Sequence, residues 1–170
     1  MLVLMAGLPG TGKSTLAREL AARLAGTILD KDEIRRVLFE PRDLEYSTHQ
    51  DDFVMEIMLQ TAEYLFSKDP TRTILFDGRP FSRKSQIDRV KAFSSTLGQP
   101  WHILECVCSE TSARQRLQSA CAEHPAANRN FDLYLEVKSR FEPIPLPKTV
   151  MDTDTPLEAC VNLALSALHT

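Results

Sequence analysis

The nine residues Gly7-Leu8-Pro9-Gly10-Thr11-Gly12-Lys13-Ser14-Thr15 constrain this chain more than any other stretch of its 170 residues. Their spacing is G-x-x-x-x-G-K-[ST], the pattern of a loop that wraps its backbone around phosphate. Such a loop needs a buried strand before it and a helix after it. Residues 2–6, "LVLMA", are a short apolar run, and from Lys13 to about Ala25 Leu16, Leu20 and Leu24 recur on one helical stripe. Successive N–H groups must point inward at phosphate oxygens, so Gly7, Gly10 and Gly12 stand where a side chain would clash or φ must turn positive. The helix dipole favours an anion there, Lys13 supplies a mobile charge for the β- and γ-phosphates, and the Ser14 hydroxyl can ligate Mg²⁺. Binding of a nucleoside triphosphate, read as ATP with Mg²⁺, is therefore expected at residues 7–15.

Beyond the loop, apolar runs of strand length alternate with helical periods. The strands are expected at "LVLMA", "TILD", "TILFD", "WHILECVC" and "KTVMDT". Helices are expected over "KDEIRRVLF", from Ser47 or Thr48 to Lys68, from near Ser82 to Leu97, and over "SETSARQRLQSA" with Ser109 as N-cap. In the second of these Val54, Ile57, Met58, Thr61, Ala62 and Leu65 form the predicted inward stripe, with Asp51 and Asp52 favouring its start. A last helix is announced by Thr155-Pro156-Leu157-Glu158, a capping box with proline at the first helical position. Residues 121–132 read as an irregular polar stretch. The pattern predicts an α/β fold, one doubly wound parallel sheet with helices on both faces, over a single domain of residues 1–170.

An apolar share of 43% and a charged share of 25% are those of an ordinary globular chain, and a net charge of −3 supplies no global pull toward nucleic acid or anionic lipid. "LVLMA" lacks a basic leader and is too short for a secretion signal, so a cytoplasmic location and no membrane are the default expectations. Cys106, Cys108, Cys121 and Cys160 have no zinc-type spacing and read as small core thiols, and His49, His102, His124 and His169 suggest neither metal nor triad. "PIPLP" at 143–147 reads as a rigid connector.

Phosphoryl transfer needs a carboxylate for the attacking hydroxyl, cations on the transferring group and a cover that excludes water. In open α/β sheets ligands gather at the carboxyl ends of strands. "LDKDEIR", 29–35, lies at the second such end, and Asp32 and Arg35 are one helical turn apart, able to face one cleft. "FDGRPFSR", 76–83, repeats the logic: Asp77 is placed to hold Mg²⁺ directly or through water, with Arg79 and Arg83 facing the acceptor.

With these residues the chain resembles the P-loop kinases of the polynucleotide kinase, zeta-toxin and adenylylsulfate kinase type. The last has "LDGD" followed by a nearby arginine, and Asp30, Asp32 and Arg35 keep that spacing while Lys31 replaces the glycine. The resemblance implies that Asp32 activates the acceptor hydroxyl, that Arg35 contacts an acceptor anion, and that Asp30 belongs to the substrate side. It further implies a lid at about 112–142, with Arg116 against the adenine or phosphates, Arg129 bringing a cation to the transferring group, and "DTDTP" at 152–156 bordering the adenine. Lys13, Asp32, Arg116 and Arg129 are thus the expected catalytic set. One departure is that "QSAC" stands where many nucleotide kinases carry a further lid arginine.

A small-molecule hydroxyl acceptor suits the acidic balance better than a polynucleotide, although Arg35, Arg36, Arg79 and Arg83 could line a channel for a 5′-hydroxyl end. A toxin kinase acting on a nucleotide sugar shares the same fold. A reading of another class, a nucleotide-binding switch or slow ATPase, has no need of the Asp32/Arg35 pair, and the guanine-reading N-K-x-D segment of GTPase switches is absent from the sequence.

Overall fold

The strand-length runs become β1 (Leu2–Ala6), β2 (Thr27–Asp30), β3 (Ile74–Asp77), β4 (Trp101–Val107) and β5 (Thr149–Asp152) in the computed structural model, which describes residues 1–119, 130–144 and 147–169. They pair in parallel in the order β2-β3-β1-β4-β5. β1 lies at the centre, and every one of its residues is fully buried, which is why it reads as an unbroken apolar run rather than an alternation. Its side chains still divide between two faces. Leu2 and Leu4 enter a core with Phe76, Ile103, Val54, Met58, Ile87 and Val90, while Val3 and Met5 enter another with Leu16, Leu20, Leu104, Val161 and Ala164.

Those two cores place the helices. α1 (Lys13–Leu24) and α7 (Leu157–Leu168) pack on one face. α3 (Thr48–Lys68) and α4 (Lys84–Thr96) cover the other, with α2 (Lys31–Leu38) beside α3. α5 (Glu110–Ser119) and α6 (Phe131–Ser139) make a small third cluster through Ala113, Leu117 and Tyr134. The doubly wound α/β arrangement is therefore the one the alternation predicts.

Several local readings differ. The buried stripe of α3 is Val54, Met55, Met58, Leu59, Ala62 and Phe66, with Ile57, Thr61 and Leu65 only half-buried. α4 begins at Lys84 rather than near Ser82, and the Glu142 carboxylate accepts from the Lys84 amide at 2.6 Å. The predicted capping box before α7 does not form: the Thr155 hydroxyl donates to the Asp152 carbonyl at 2.5 Å, and Pro156 is the N-cap. α6 is a helix where no helix was expected, capped by Asn130, whose Oδ1 accepts from the Leu133 amide at 2.9 Å. Cys106 and Cys160 are buried as expected, whereas Cys108 is only half-buried, and Cys121 lies outside the described residues. No described helix is long and apolar enough to cross a membrane.

Candidate active site

The central strand delivers its loop to the carboxyl edge of the sheet. Gly7 has φ +128°, and a Cβ there would stand 2.2 Å from the Cys106 carbonyl oxygen of β4, so only glycine permits the strand to leave the sheet at this point. Gly10 and Gly12 also take positive φ. Gly12 is the N-cap of α1 and has no side chain to bond the first-turn amides, which leaves those donors available to an anion. Lys13 is buried, and its ammonium donates to the carbonyls of Gly7 at 2.9 Å and Leu8 at 2.8 Å. Thr11 closes the loop from its own side chain, donating to Leu8 O at 2.8 Å.

A cleft opens beside this loop. Its walls include Pro9, Lys13, Ser14, Lys31, Asp32, Arg35, Tyr46, Asp51, Asp77, Arg79, Arg83 and, from the α6 segment, Leu133, Val137 and Arg140. Among the charged residues lining it, Lys13, Lys31, Arg35, Arg79, Arg83 and Arg140 outnumber Asp32, Asp51 and Asp77, so an acidic chain keeps a locally cationic site.

Of the residues singled out in the sequence, Lys13, Ser14, Asp32, Arg35, Asp77, Arg79 and Arg83 meet in this cleft. Arg35 and Arg79 are buried and Arg83 is exposed at its rim. Arg79 is held by Asp52, Nη2 to Oδ1 at 2.7 Å, and the Arg35 guanidinium stacks 5.1 Å from the Tyr46 ring centre. Arg36 points elsewhere, paired with Glu33 at 2.8 Å, and is not among the lining residues.

Two other expected residues, Asp30 and Arg116, are not among the lining residues. Asp30 does not line the cleft; its Oδ1 caps α2, accepting from the amides of Asp32 at 2.8 Å and Glu33 at 3.1 Å. Arg116 donates instead to Thr153 Oγ1 at 2.9 Å and Thr153 O at 2.7 Å, in the turn that the resemblance sets beside the adenine. Thr153 in turn donates to the Thr11 carbonyl at 3.0 Å, so Arg116 ties the turn after β5 to the loop. Arg129 falls outside the described residues, as do residues 120–129 of the expected lid.

Asp77 fits the requirements of a magnesium site. It is 1% exposed, and its Oδ1 has no hydrogen-bond partner among the described residues although it lines the same cleft as Ser14. No described cluster of three His, Cys, Asp or Glu residues could hold a metal alone. One carboxylate and one hydroxyl are a protein share that Mg²⁺ can take when waters and phosphate oxygens fill the rest of its shell.

The sequence reading missed Lys31 and Asp51 as part of this site. Lys31 is buried, and its ammonium bridges Asp51 at 2.8 Å and Asp32 at 3.3 Å; burial lowers its pKa to about 8 against the pull of Asp32. Tyr46 was also missed, a non-glycine residue at φ +51°. Strain of this kind collects at functional sites, and no residue type in "DLEYST" announces it.

Asp30 and Asp77 are cross-strand neighbours at the ends of β2 and β3. Burial first, and then the Asp77 charge, push Asp30 up to about 6 from the ordinary 3.8. The sign is that of a raised acid: its contribution to stability is complete below the unfolded value and is lost as pH rises through about 6. Asp30→Asn keeps an oxygen for the α2 cap and removes the charge. At pH 8 the variant is expected to melt roughly 2–6 °C above the wild type, with the gap closing near pH 4; a difference in melting temperature that does not vary with pH would contradict this.

Fold and site together describe a doubly wound parallel sheet with a phosphate-loop sequence at its carboxyl edge and a charged cleft beside it. A model of the AAA domain family matches residues 2–144, and the chain belongs to that family. Among solved structures it is similar to a putative kinase from Chloroflexus aurantiacus, at 23% identity and TM-score 0.76 over 97% of this chain and 96% of that one. It is also similar to the APS kinase CysC of Mycobacterium tuberculosis in complex with AMPPNP and APS, at 16% identity and TM-score 0.74 over 99% and 97%. A gluconokinase from Sinorhizobium meliloti shares the fold at 14% identity and TM-score 0.69 over 99% and 90%. No curated protein matches the chain by sequence.

Proposed function

We propose that this protein is an ATP- and Mg²⁺-dependent phosphotransferase that passes the γ-phosphoryl group to a hydroxyl of a small-molecule acceptor. The observation that carries the reading is one cleft bounded on one side by Lys13 and Ser14 of the phosphate loop and on the other by Asp32 and the buried Arg35 and Arg79. A switch protein has no use for that second wall. The likeness to solved kinases supports the same class.

In this reading residues 7–15 hold the triphosphate, Arg116 and the turn at Thr153 stand on the nucleotide side, and Ser14 and Asp77 hold Mg²⁺. The ion supplies charge neutralisation on the β- and γ-phosphates. Asp32 orients the acceptor hydroxyl and takes its proton. Lys13 steadies the developing charge, together with lid cations among which Arg129 is the candidate from the sequence. Arg35, Arg79 and Arg83 receive the acceptor, and the α6 segment, with Leu133, Val137 and Arg140, covers that side as part of a lid over about 112–142 within a single domain. Arg36 being turned away to Glu33 favours a small molecule over a 5′-hydroxyl polynucleotide, since one of the four arginines of the alternative channel is lost. A cytoplasmic location suits the free thiols of Cys106, Cys108 and Cys160.

The test is transfer from γ-labelled ATP with Mg²⁺ to a panel of nucleosides, sugar acids, adenylylsulfate, aminoglycosides, nucleotide sugars and 5′-hydroxyl oligonucleotides. Label on a small molecule supports the reading, label on the oligonucleotide moves it to the polynucleotide alternative, and label only in free phosphate moves it to an ATPase.

A pH dependence follows from Lys31. Its proton is lost at about 8, and below that pH the ammonium separates Asp32 from Asp51. Catalytic efficiency toward the acceptor is therefore expected to fall as pH rises through about 8, and Lys31→Arg, which does not titrate there, to flatten that limb. A limb that persists unchanged in Lys31→Arg would assign it to another group.

A further inference from the structure

Lys31, Asp32, Arg35 and Asp51 close a ring of alternating charge in the wall of the cleft. Lys31 Nζ stands 3.3 Å from Asp32 Oδ1 and 2.8 Å from Asp51 Oδ1. Arg35 Nη1 lies 3.2 Å from the same Asp32 oxygen, and Arg35 Nη2 touches the same Asp51 oxygen. The two cations are nearly buried, whereas the Asp32 and Asp51 side chains keep 13% and 24% of their exposure. Each carboxylate thus commits Oδ1 to the ring and stays partly open to the cleft.

The ring is formally neutral, two cations against two carboxylates, so a ligand cation gains little there and a ligand anion must compete with carboxylates already in place. A neutral donor has no such competition: a hydroxyl can give its proton to a carboxylate oxygen and leave the ring intact. Because both carboxylates rest on one ammonium, they are held close enough for two hydroxyls on adjacent carbons to reach one each. Arg35 and Arg79, both more than nine-tenths buried and lining the same cleft, each carry an Nε–H with no acceptor among the described residues, donors of the kind that hydroxyl oxygens accept from.

We infer that Asp51 is a second acceptor-binding residue, and that the acceptor is a polyol presenting neighbouring hydroxyls, one to Asp32 and the next to Asp51. The inference rests on the kinase reading above. The hydroxyl on Asp32 forms its bond to the γ-phosphorus as the bond to the β,γ-bridging oxygen breaks, ADP departs and the proton passes to Asp32. The hydroxyl on Asp51 keeps its proton and fixes the orientation of its neighbour.

The experiment compares catalytic efficiencies, with γ-labelled ATP, for a panel of pentoses, hexoses and aldonic acids, for the single-deoxy analogue of each, and for a 5′-hydroxyl oligodeoxynucleotide. Wild type, Asp51→Asn and Asp51→Ala are measured side by side, with ATP affinity and melting temperature reporting that each variant is folded. Wild type is expected to prefer the diol over its deoxy analogue by roughly ten- to a hundredfold. That preference is expected to collapse to within about threefold in Asp51→Ala, with Asp51→Asn between them. Equal use of diol and deoxy analogue, or labelling of the oligodeoxynucleotide, overturns the polyol assignment while the kinase reading stands. Equal loss on both acceptors in Asp51→Ala overturns the role of Asp51. Label confined to free phosphate with every acceptor overturns the kinase reading itself.

Discussion

Asp32→Asn is expected to lower phosphoryl transfer by roughly 10²–10⁴-fold while MgATP affinity stays within about threefold. Asp32 stands in the first turn of α2, at the edge of the cleft shared with Lys13 and Ser14. Its Oδ1 is fixed by Lys31 at 3.3 Å and Arg35 at 3.2 Å, which is the constraint a base needs if it is to meet a hydroxyl at a set angle. Asparagine keeps the volume and one oxygen but cannot take a proton, and it leaves Lys31 and Arg35 with only Asp51 between them. The phosphate loop is built from other residues, so nucleotide affinity has no reason to change. The measurement is a pair of numbers from one preparation, the rate of labelled acceptor and the dissociation constant of MgATP. Transfer that survives within a few-fold would remove Asp32 from the role of base.

The second large effect belongs to Lys13. Its ammonium is held by the Gly7 and Leu8 carbonyls, a position from which it can turn to phosphate without a change in the backbone. Lys13→Ala removes a charge-assisted contact to the β- and γ-phosphates, and ATP affinity is expected to fall roughly 10²–10³-fold. Adenosine monophosphate, which lacks both groups, is expected to bind the variant within about threefold of the wild type. Calorimetric titration of both nucleotides separates the cases: a parallel loss for the two would mean that the substitution collapses the loop rather than removing a phosphate contact.

The phosphate loop was legible because few backbones tolerate its glycines in that order; the 2.2 Å approach at Gly7 is what the sequence pattern encodes. Arg79 and Asp77 were legible for a related reason, since a parallel sheet brings its strand ends to one edge whatever the intervening helices contain. Lys31 and Asp51 were not. They are 20 positions apart, and their meeting depends on how α2 crosses α3, which periodicity along either helix does not report. Asp51 carried a sufficient local explanation as a first-turn carboxylate on the helix dipole, and that explanation hid the tertiary one. Asp30 shows the converse: a strand-end resemblance points it at substrate, whereas its place immediately before α2 makes it that helix's cap. α6 did leave a signal, Asn130 followed by Phe131, Tyr134 and Val137 at three-residue spacing, obscured by the polar run before it.

The central claim is that the γ-phosphoryl group travels to a bound hydroxyl and not to water. Turnover in ¹⁸O-enriched water, with the acceptor found in the panel, tests it directly. The account predicts one phosphoester for every ADP formed, with no solvent oxygen in the transferred group. ADP accompanied instead by an equal amount of inorganic phosphate carrying one solvent oxygen, whatever acceptor is present, would contradict it and make the protein an ATPase.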